Sequence, residues 1–349
     1  MILKKIKKIL VIKLRAIGDV LLSTIVLENL RAAFPDARID FLTERPGSQI
    51  VDGNPFLDHV VVLGHPGKNN NHWHNRLKYH VQFIKQIRNR QYDLVFDFFG
   101  NPRSALLTFI SGAPIRVGYN YRIRQLAYNR VVKTRASYIH EAPWHLDALT
   151  ALGIPVNSQK LSFYVNPRSK QFADEFWARE NLNGKRVLAL NFSGGWPAKR
   201  WPLERFAELA ERIVNKYQTQ IILLWGPGEK DDALKLQSLA KVKTRLIPET
   251  NLKQLGALLH KTDLLISTDS GPMHIAAAMF TPCVAIYGPT NYKLQGPYGD
   301  IHQIVYKDGL DCLGCNRLDC DILSCMNALP VDAVFAAVEK CVHKNNLFG

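Results

Sequence analysis

The sequence contains no run approaching the ~20 apolar residues of a membrane-spanning helix. Its N-terminal apolar stretch is broken by Lys13, Arg15 and Asp19, which argues against an export signal. No G-x-G-x-x-G follows the first apolar run, which disfavours a dinucleotide-dependent dehydrogenase. No G-x-x-x-x-G-K-[ST] occurs, which excludes a P-loop enzyme. Short-period repeats and low-complexity tails are lacking too. The expectation is a folded cytoplasmic protein, and 349 residues suggest two domains.

Acid is scarce in the first half. Residues 1–165 hold 23 Lys and Arg against 11 Asp and Glu, a net charge of +12; residues 166–349 hold 22 against 19, a net of +3. Residues 59–92 and 98–140 contain no acid at all. The second of these carries Arg122 and Arg124 among tyrosines. So uneven a surface suits an acidic partner: nucleic acid, anionic lipid or a phosphorylated substrate.

Short β-branched or aliphatic runs alternate with helical patterns. The runs fall at 9–14, 38–42, 59–63, 93–98, 186–192, 221–225, 244–247, 263–267 and 283–288. This alternation predicts two doubly wound parallel sheets, each covered by helices on both faces. A Pro- and Asn-containing join near 153–169 separates the two series. The predicted domains are 1–165 and 166–349, and the final helix, about 331–345, is a candidate to pack back on the first domain.

Ligands of such sheets bind beyond the carboxyl ends of the strands. Four loops there carry chemistry. After the first run come Arg15, Gly18 and Asp19; on residue type alone a helix N-cap is the favoured reading of Asp19, with a general base facing the cleft as the alternative. Ser193, Gly194 and Gly195 offer unshielded N–H groups, followed by Lys199 and Arg200. Two prolines and two tryptophans in that loop favour a ligand over an incidental turn. Glu229, after Gly226 and Gly228, suits ribose hydroxyls or the first turn of a helix. The fourth loop is Thr268-Asp269-Ser270-Gly271-Pro272-Met273-His274. Pro272 at the first helical position makes Gly271 the cap and leaves the Met273 and His274 N–H groups as an anion site, with Thr268 and Ser270 as hydroxyl donors. Asp269 would repel a phosphate, so it fits a sugar hydroxyl. Gly288 and Thr290 follow the next strand on the same side.

Cys312, Cys315, Cys320 and Cys325 open with Cys-x-x-Cys, but their later spacings are short and irregular for a zinc ribbon. Buried thiols are the favoured reading, with structural zinc a minority one. Asp319-Cys320-Asp321 sits in this loop rather than at a strand end, and implies no metal. His65, His72, His74 and His80 read as a polar segment.

Taken in order, KLRAIGDVLLST, SGGWPAKRWPLERF, STDSGPMHIAAAMFTPCVAIYGPT and the late cysteines resemble glycosyltransferase family 9, the lipopolysaccharide heptosyltransferases. The resemblance spans about residues 9–345. It implies a GT-B fold, two Rossmann-like domains facing each other across a cleft. It implies inverting transfer of heptose from ADP-heptose to the lipopolysaccharide inner core, without a metal or other cofactor. Asp19 would then be the base and Lys199 the cation on the leaving diphosphate. Glu229 would lie near the ribose and Asp269 on the sugar, with Ser270, Gly271 and His274 near the diphosphate. Ser193, Gly194, Thr268, Pro272, Met273, Gly288 and Thr290 complete the donor set; Arg15, Gly18, Arg122 and Arg124 form the acceptor set. The expected protein is a monomer, peripheral on the cytoplasmic face of the inner membrane, that binds no nucleic acid. Rival readings are another nucleotide sugar, a nucleotide-sugar epimerase, or a basic nucleic-acid-binding protein.

Overall fold

The computed structural model describes residues 5–64, 73–133, 135, 139–317 and 319–348, without the side chains of 73–76. Two compact units meet in sequence at Tyr164 and Val165. The first contains β1 (Lys8–Ile12), β2 (Arg38–Glu44), β3 (His59–Leu63), β4 (Leu94–Asp97), β5 (Ile115–Tyr119) and β6 (Arg130–Val132). They form one parallel sheet in the order β3-β2-β1-β4-β5-β6. The second contains β7 (Val187–Asn191), β8 (Gln220–Leu224), β9 (Thr244–Leu246), β10 (Leu264–Thr268), β11 (Cys283–Ile286) and β12 (Gln303–Val305). Their order is β12-β11-β10-β7-β8-β9, again parallel. Counted from its own first strand, each sheet has the dinucleotide-fold order 3-2-1-4-5-6.

The central strands explain themselves. VLALN of β7 and LLIST of β10 are buried at every position, as continuous runs must be when helices cover both faces. Asparagines start several of the covering helices. Asn101, Asn166 and Asn251 each accept from the backbone N–H three residues on, at 2.8, 2.8 and 2.9 Å. The join is fastened to the first unit by Asn29, whose Oδ1 accepts from Asn157 and Ser158 N–H at 2.7 and 2.9 Å.

Three strands lie outside the predicted runs. In β5, IRVGY, Arg116 interrupts the apolar pattern; its guanidinium is absorbed by the Ala113 and Ala127 carbonyls. β6 and β12 are three-residue edge strands with incomplete burial. The helix Val331–Lys344 packs against Leu203–Tyr217, β11 and β12. These partners lie in its own unit. Trp201, predicted as part of a ligand loop, is instead a fully buried core residue whose Nε1–H donates to the Leu329 carbonyl at 3.1 Å.

Two buried histidines make stability depend on pH. Burial holds His145 of the first unit and His302 of the second down at about 4. Between pH 6.5 and 4 the unfolded chain binds a proton on each ring and the folded chain does not. Stability therefore falls as pH drops through that window, by up to about 3 kcal/mol per ring. Denaturant unfolding at pH 7 and pH 4.5 checks this. His302→Gln should flatten the profile; an unchanged profile would contradict a buried neutral His302.

Candidate active site

In an open parallel sheet the ligand crevice opens where the winding reverses, beside the first and fourth strands. In the first unit that is between β1 and β4; in the second, between β7 and β10.

After β1 the chain runs through Lys13, Leu14 and Arg15 into the helix Ile17–Ser23. Ala16 is the N-cap and Asp19 the third helical residue, so Asp19 is not itself the cap. Its Oδ2 accepts from the Ala16 N–H at 3.4 Å. The carboxylate is half-buried, and Gly18 stands before it in the same first turn. Below lies a buried charge network. The Lys13 ammonium donates to the Phe98 carbonyl at 3.1 Å and to Glu141 Oε1 at 2.5 Å. Burial pushes this ammonium down, but the Glu141 and Asp19 carboxylates more than offset it and raise it overall. His145 Nε2 lies 3.4 Å from Glu141, and its Nδ1 is 3.1 Å from the Tyr119 hydroxyl. The base candidate therefore sits in the field of a fixed buried cation.

Arg15 is exposed and its Nε donates at 3.3 Å to Glu44, at the carboxyl end of β2. Arg103 shares the same carboxylate. Sequence reasoning missed Glu44; one signal was available, an acid ending an otherwise buried strand. Arg122 and Arg124 lie in the 3-10 segment Arg122–Ala127 beyond β5, two strands from β1 in the sheet. The Arg124 guanidinium rests 5.1 Å from the Tyr121 ring centre.

The second unit brings its two key side chains into contact. Lys199, on the loop after β7, places Nζ 2.6 Å from Asp269 Oδ2, on the loop after β10. Both side chains are largely buried. Thr290 Oγ1 donates to the same oxygen at 2.5 Å, and the Tyr287 hydroxyl stands 3.5 Å from Oδ1. The Lys199 ammonium also lies 4.3 Å from the Trp196 ring centre. An ammonium has three donors and Asp269 takes one, so further acceptors can be bound. Gly194 is required for this placement: a Cβ there would come 2.9 Å from the Lys199 Cβ.

Hydroxyls predicted to meet a phosphate join the loops to one another. Thr268 Oγ1 donates to the Ser193 carbonyl at 2.5 Å, and Ser270 Oγ to the Thr268 carbonyl at 3.2 Å. Asn191 Nδ2 donates to Ser267 and Ser270 Oγ at 2.8 and 2.7 Å, while Ser193 Oγ donates back to Asn191 Oδ1 at 3.2 Å. Asn191 went unpredicted, although a polar residue ending a buried strand was a readable signal.

The helix Gly271–Ala278 starts one residue earlier than expected. Ser270 is its N-cap, Gly271 its first residue and Pro272 its second. The Met273 N–H donates to the Ser270 carbonyl at 3.2 Å, and its side chain is fully buried. The open donors are the Ser270 and Gly271 N–H groups, which make no hydrogen bond among the described residues. His274 is buried in the next turn. Gly288 has a packing reason, since a Cβ there would come 2.7 Å from Cys325 Sγ. Glu229 is the N-cap of Lys230–Leu239; its Oε2 accepts from the Gly226 N–H at 2.8 Å, and its other oxygen stays available.

Among the described residues, no three His, Cys, Asp or Glu side chains are placed to hold a metal ion. His65 and His72 lie outside the described residues, the His74 side chain is undescribed, and His80 is exposed. The expectation of buried cysteines fails in part. Cys312 and Cys315 are exposed, Cys320 is half-buried and only Cys325 of the four is buried. Burial, then the two neighbouring cysteines, raises the Cys325 thiol.

Removing either partner of Lys199–Asp269 strands a charge in a largely buried place, so the pair should be strongly coupled. A double-mutant cycle with Lys199→Met and Asp269→Asn should give a coupling on the order of 1–3 kcal/mol in denaturant unfolding. Additive effects would mean that the contact does not hold the two loops together.

Comparison with known proteins places this arrangement in context. Residues 80–324 match Glycosyltransferase family 9 (heptosyltransferase). The lipopolysaccharide core heptosyltransferase OpsX of Haemophilus influenzae is 25% identical over 86% of this chain and 84% of its own. The crystal structure of the glycosyl transferase family 9 from Veillonella parvula superposes with a TM-score of 0.81 at 24% identity, over 97% of both chains. E. coli heptosyltransferase WaaC with ADP-2-deoxy-2-fluoro heptose gives 0.71 at 21% identity, over 97% of this chain and 99% of that one. The two sheets are those of the GT-B fold. The chain is a glycosyltransferase and belongs to glycosyltransferase family 9.

Proposed function

We propose that this glycosyltransferase moves heptose from ADP-heptose to the acidic inner core of lipopolysaccharide, with inversion at the anomeric carbon and without a metal. The observation that carries the reading is the Lys199–Asp269 pair at the β7/β10 reversal, beside the open Gly271 N–H. A fixed cation and a helix start suit a diphosphate, while a carboxylate beside them suits sugar hydroxyls. The names of the relatives support the heptosyl choice, as does the donor analogue in the WaaC structure.

In this reading Asp19 takes the proton of the acceptor hydroxyl as its oxygen attacks the anomeric carbon. The bond to the diphosphate breaks on the opposite face, and ADP departs. Lys199 stabilises the charge growing on that diphosphate, and Asp269 orients both the ammonium and the sugar. The free oxygen of Glu229 serves the ribose. Arg15 and the basic first unit meet the acidic acceptor, and the protein works as a monomer at the cytoplasmic face of the inner membrane. Thr268, Ser193 and Thr290 act through their loops rather than by touching the donor.

ADP release with ADP-heptose and a lipopolysaccharide-core acceptor tests this. Asp19→Asn should lower kcat by about 10²–10⁴-fold, with donor binding nearly unchanged. Lys199→Ala should lower it by about 10²–10³-fold. Turnover of other sugar nucleotides but not ADP-heptose would refute the donor assignment. Near-normal transfer by Asp19→Asn would refute the base.

A further inference from the structure

Twelve large apolar side chains are exposed among the described residues, and five of them fall within residues 106–131. Leu106 and Phe109, 53% and 58% exposed, stand three apart on the helix Pro102–Ile110. Ile123 and Leu126, 82% and 76% exposed, stand three apart in the 3-10 segment Arg122–Ala127, where such a spacing eclipses side chains. Each element thus turns an apolar pair to solvent. The elements also pack on each other. Arg116 ties them together: its guanidinium lies 5.8 Å from the Phe109 ring centre and its Nε–H donates to the Ala127 carbonyl at 2.9 Å.

Nothing in the fold of the first unit needs these side chains exposed. The sheet core is complete beneath Ser104, Ala105, Leu107 and Thr108, the buried face of the helix. The 3-10 segment buries none of its residues. The surrounding charge is of one sign. No Asp or Glu occurs in residues 98–140, while Arg122 is exposed and Arg124 half-exposed beside the apolar pair. Apolar groups projecting from a basic rim match a bilayer surface whose headgroups are anionic. A protein partner would have to be acidic and apolar together, and a nucleic acid would have no use for the leucines.

We propose that this face of the first unit seats the protein on an anionic phospholipid bilayer. Ile123, Leu126, Leu106 and Phe109 enter the interfacial layer, and the arginines meet phosphate headgroups. The proposal deepens the peripheral membrane placement given above and rests on it for the occupant.

The full chain is sedimented with vesicles of phosphatidylcholine alone and with vesicles containing phosphatidylglycerol. It should bind the anionic vesicles preferentially, and added salt should weaken binding. Ile123→Ser/Leu126→Ser and Leu106→Ser/Phe109→Ser should each weaken binding by about tenfold or more. Because these side chains are exposed, ADP binding and unfolding midpoints should be unchanged, which separates the effect from misfolding. Absence of binding to any vesicle, or self-association through this face in its place, would overturn both the surface and the membrane placement. Vesicle binding that survives both double substitutions would overturn this surface alone. Transfer to a soluble core fragment is read separately, so loss of the heptosyl reading leaves the vesicle result standing.

Discussion

The contact between Lys199 and Asp269 is the interaction on which the chemistry proposed for the second unit depends. It joins the loops after the two strands that flank the winding reversal, and it fixes the lysine proposed to meet the leaving diphosphate. An isolated ammonium so little exposed would be costly, and so would an isolated carboxylate. Together they are held by Thr290 on one side and Trp196 on the other. Several neighbouring residues make sense only as supports for this pair. Gly194 leaves room for the lysine stem, and Asn191, Ser193, Thr268 and Ser270 lock the loops at its base. In the proposed reaction this pairing also has a use: a diphosphate entering would meet a preorganised cation without first having to order it.

The first unit uses burial of charge in a similar way. Lys13, Glu141 and His145 form a closed network below Asp19. Burial alone would raise Glu141, yet Lys13 and His145 hold it well below the usual carboxylate range, so it remains charged. Arg15 and Arg103 converge on Glu44 at the same sheet edge. An otherwise repulsive pair of arginines is thereby kept together near the carboxyl ends of the strands.

Much of the architecture was legible in the sequence, for a physical reason. Central parallel strands are buried on both faces, so they appear as unbroken apolar runs such as LLIST and VLALN. β5, β6 and β12 were not legible, because edge position and Arg116 remove that signature. The family motifs located the loops that carry Asp19, Lys199 and Asp269, but their partners were hidden. Whether Thr268 donates to a ligand or to Ser193 depends on loops far apart in sequence. The cap shift from Gly271 to Ser270 has the same origin: Pro suits either of the first two helical positions, and only the backbone decides. Trp201 read as a ligand-loop residue because its contact with Leu329 leaves no local trace.

The central claim is that Asp269 positions the Lys199 ammonium for the leaving diphosphate. The most direct measurement is a crystal structure of the chain with ADP-2-deoxy-2-fluoro heptose. The account predicts Lys199 Nζ within about 3 Å of a diphosphate oxygen, with its contact to Asp269 kept and the Gly271 N–H directed at the same group. A diphosphate bound away from Lys199, with the Lys199–Asp269 pair left closed and untouched, would contradict it.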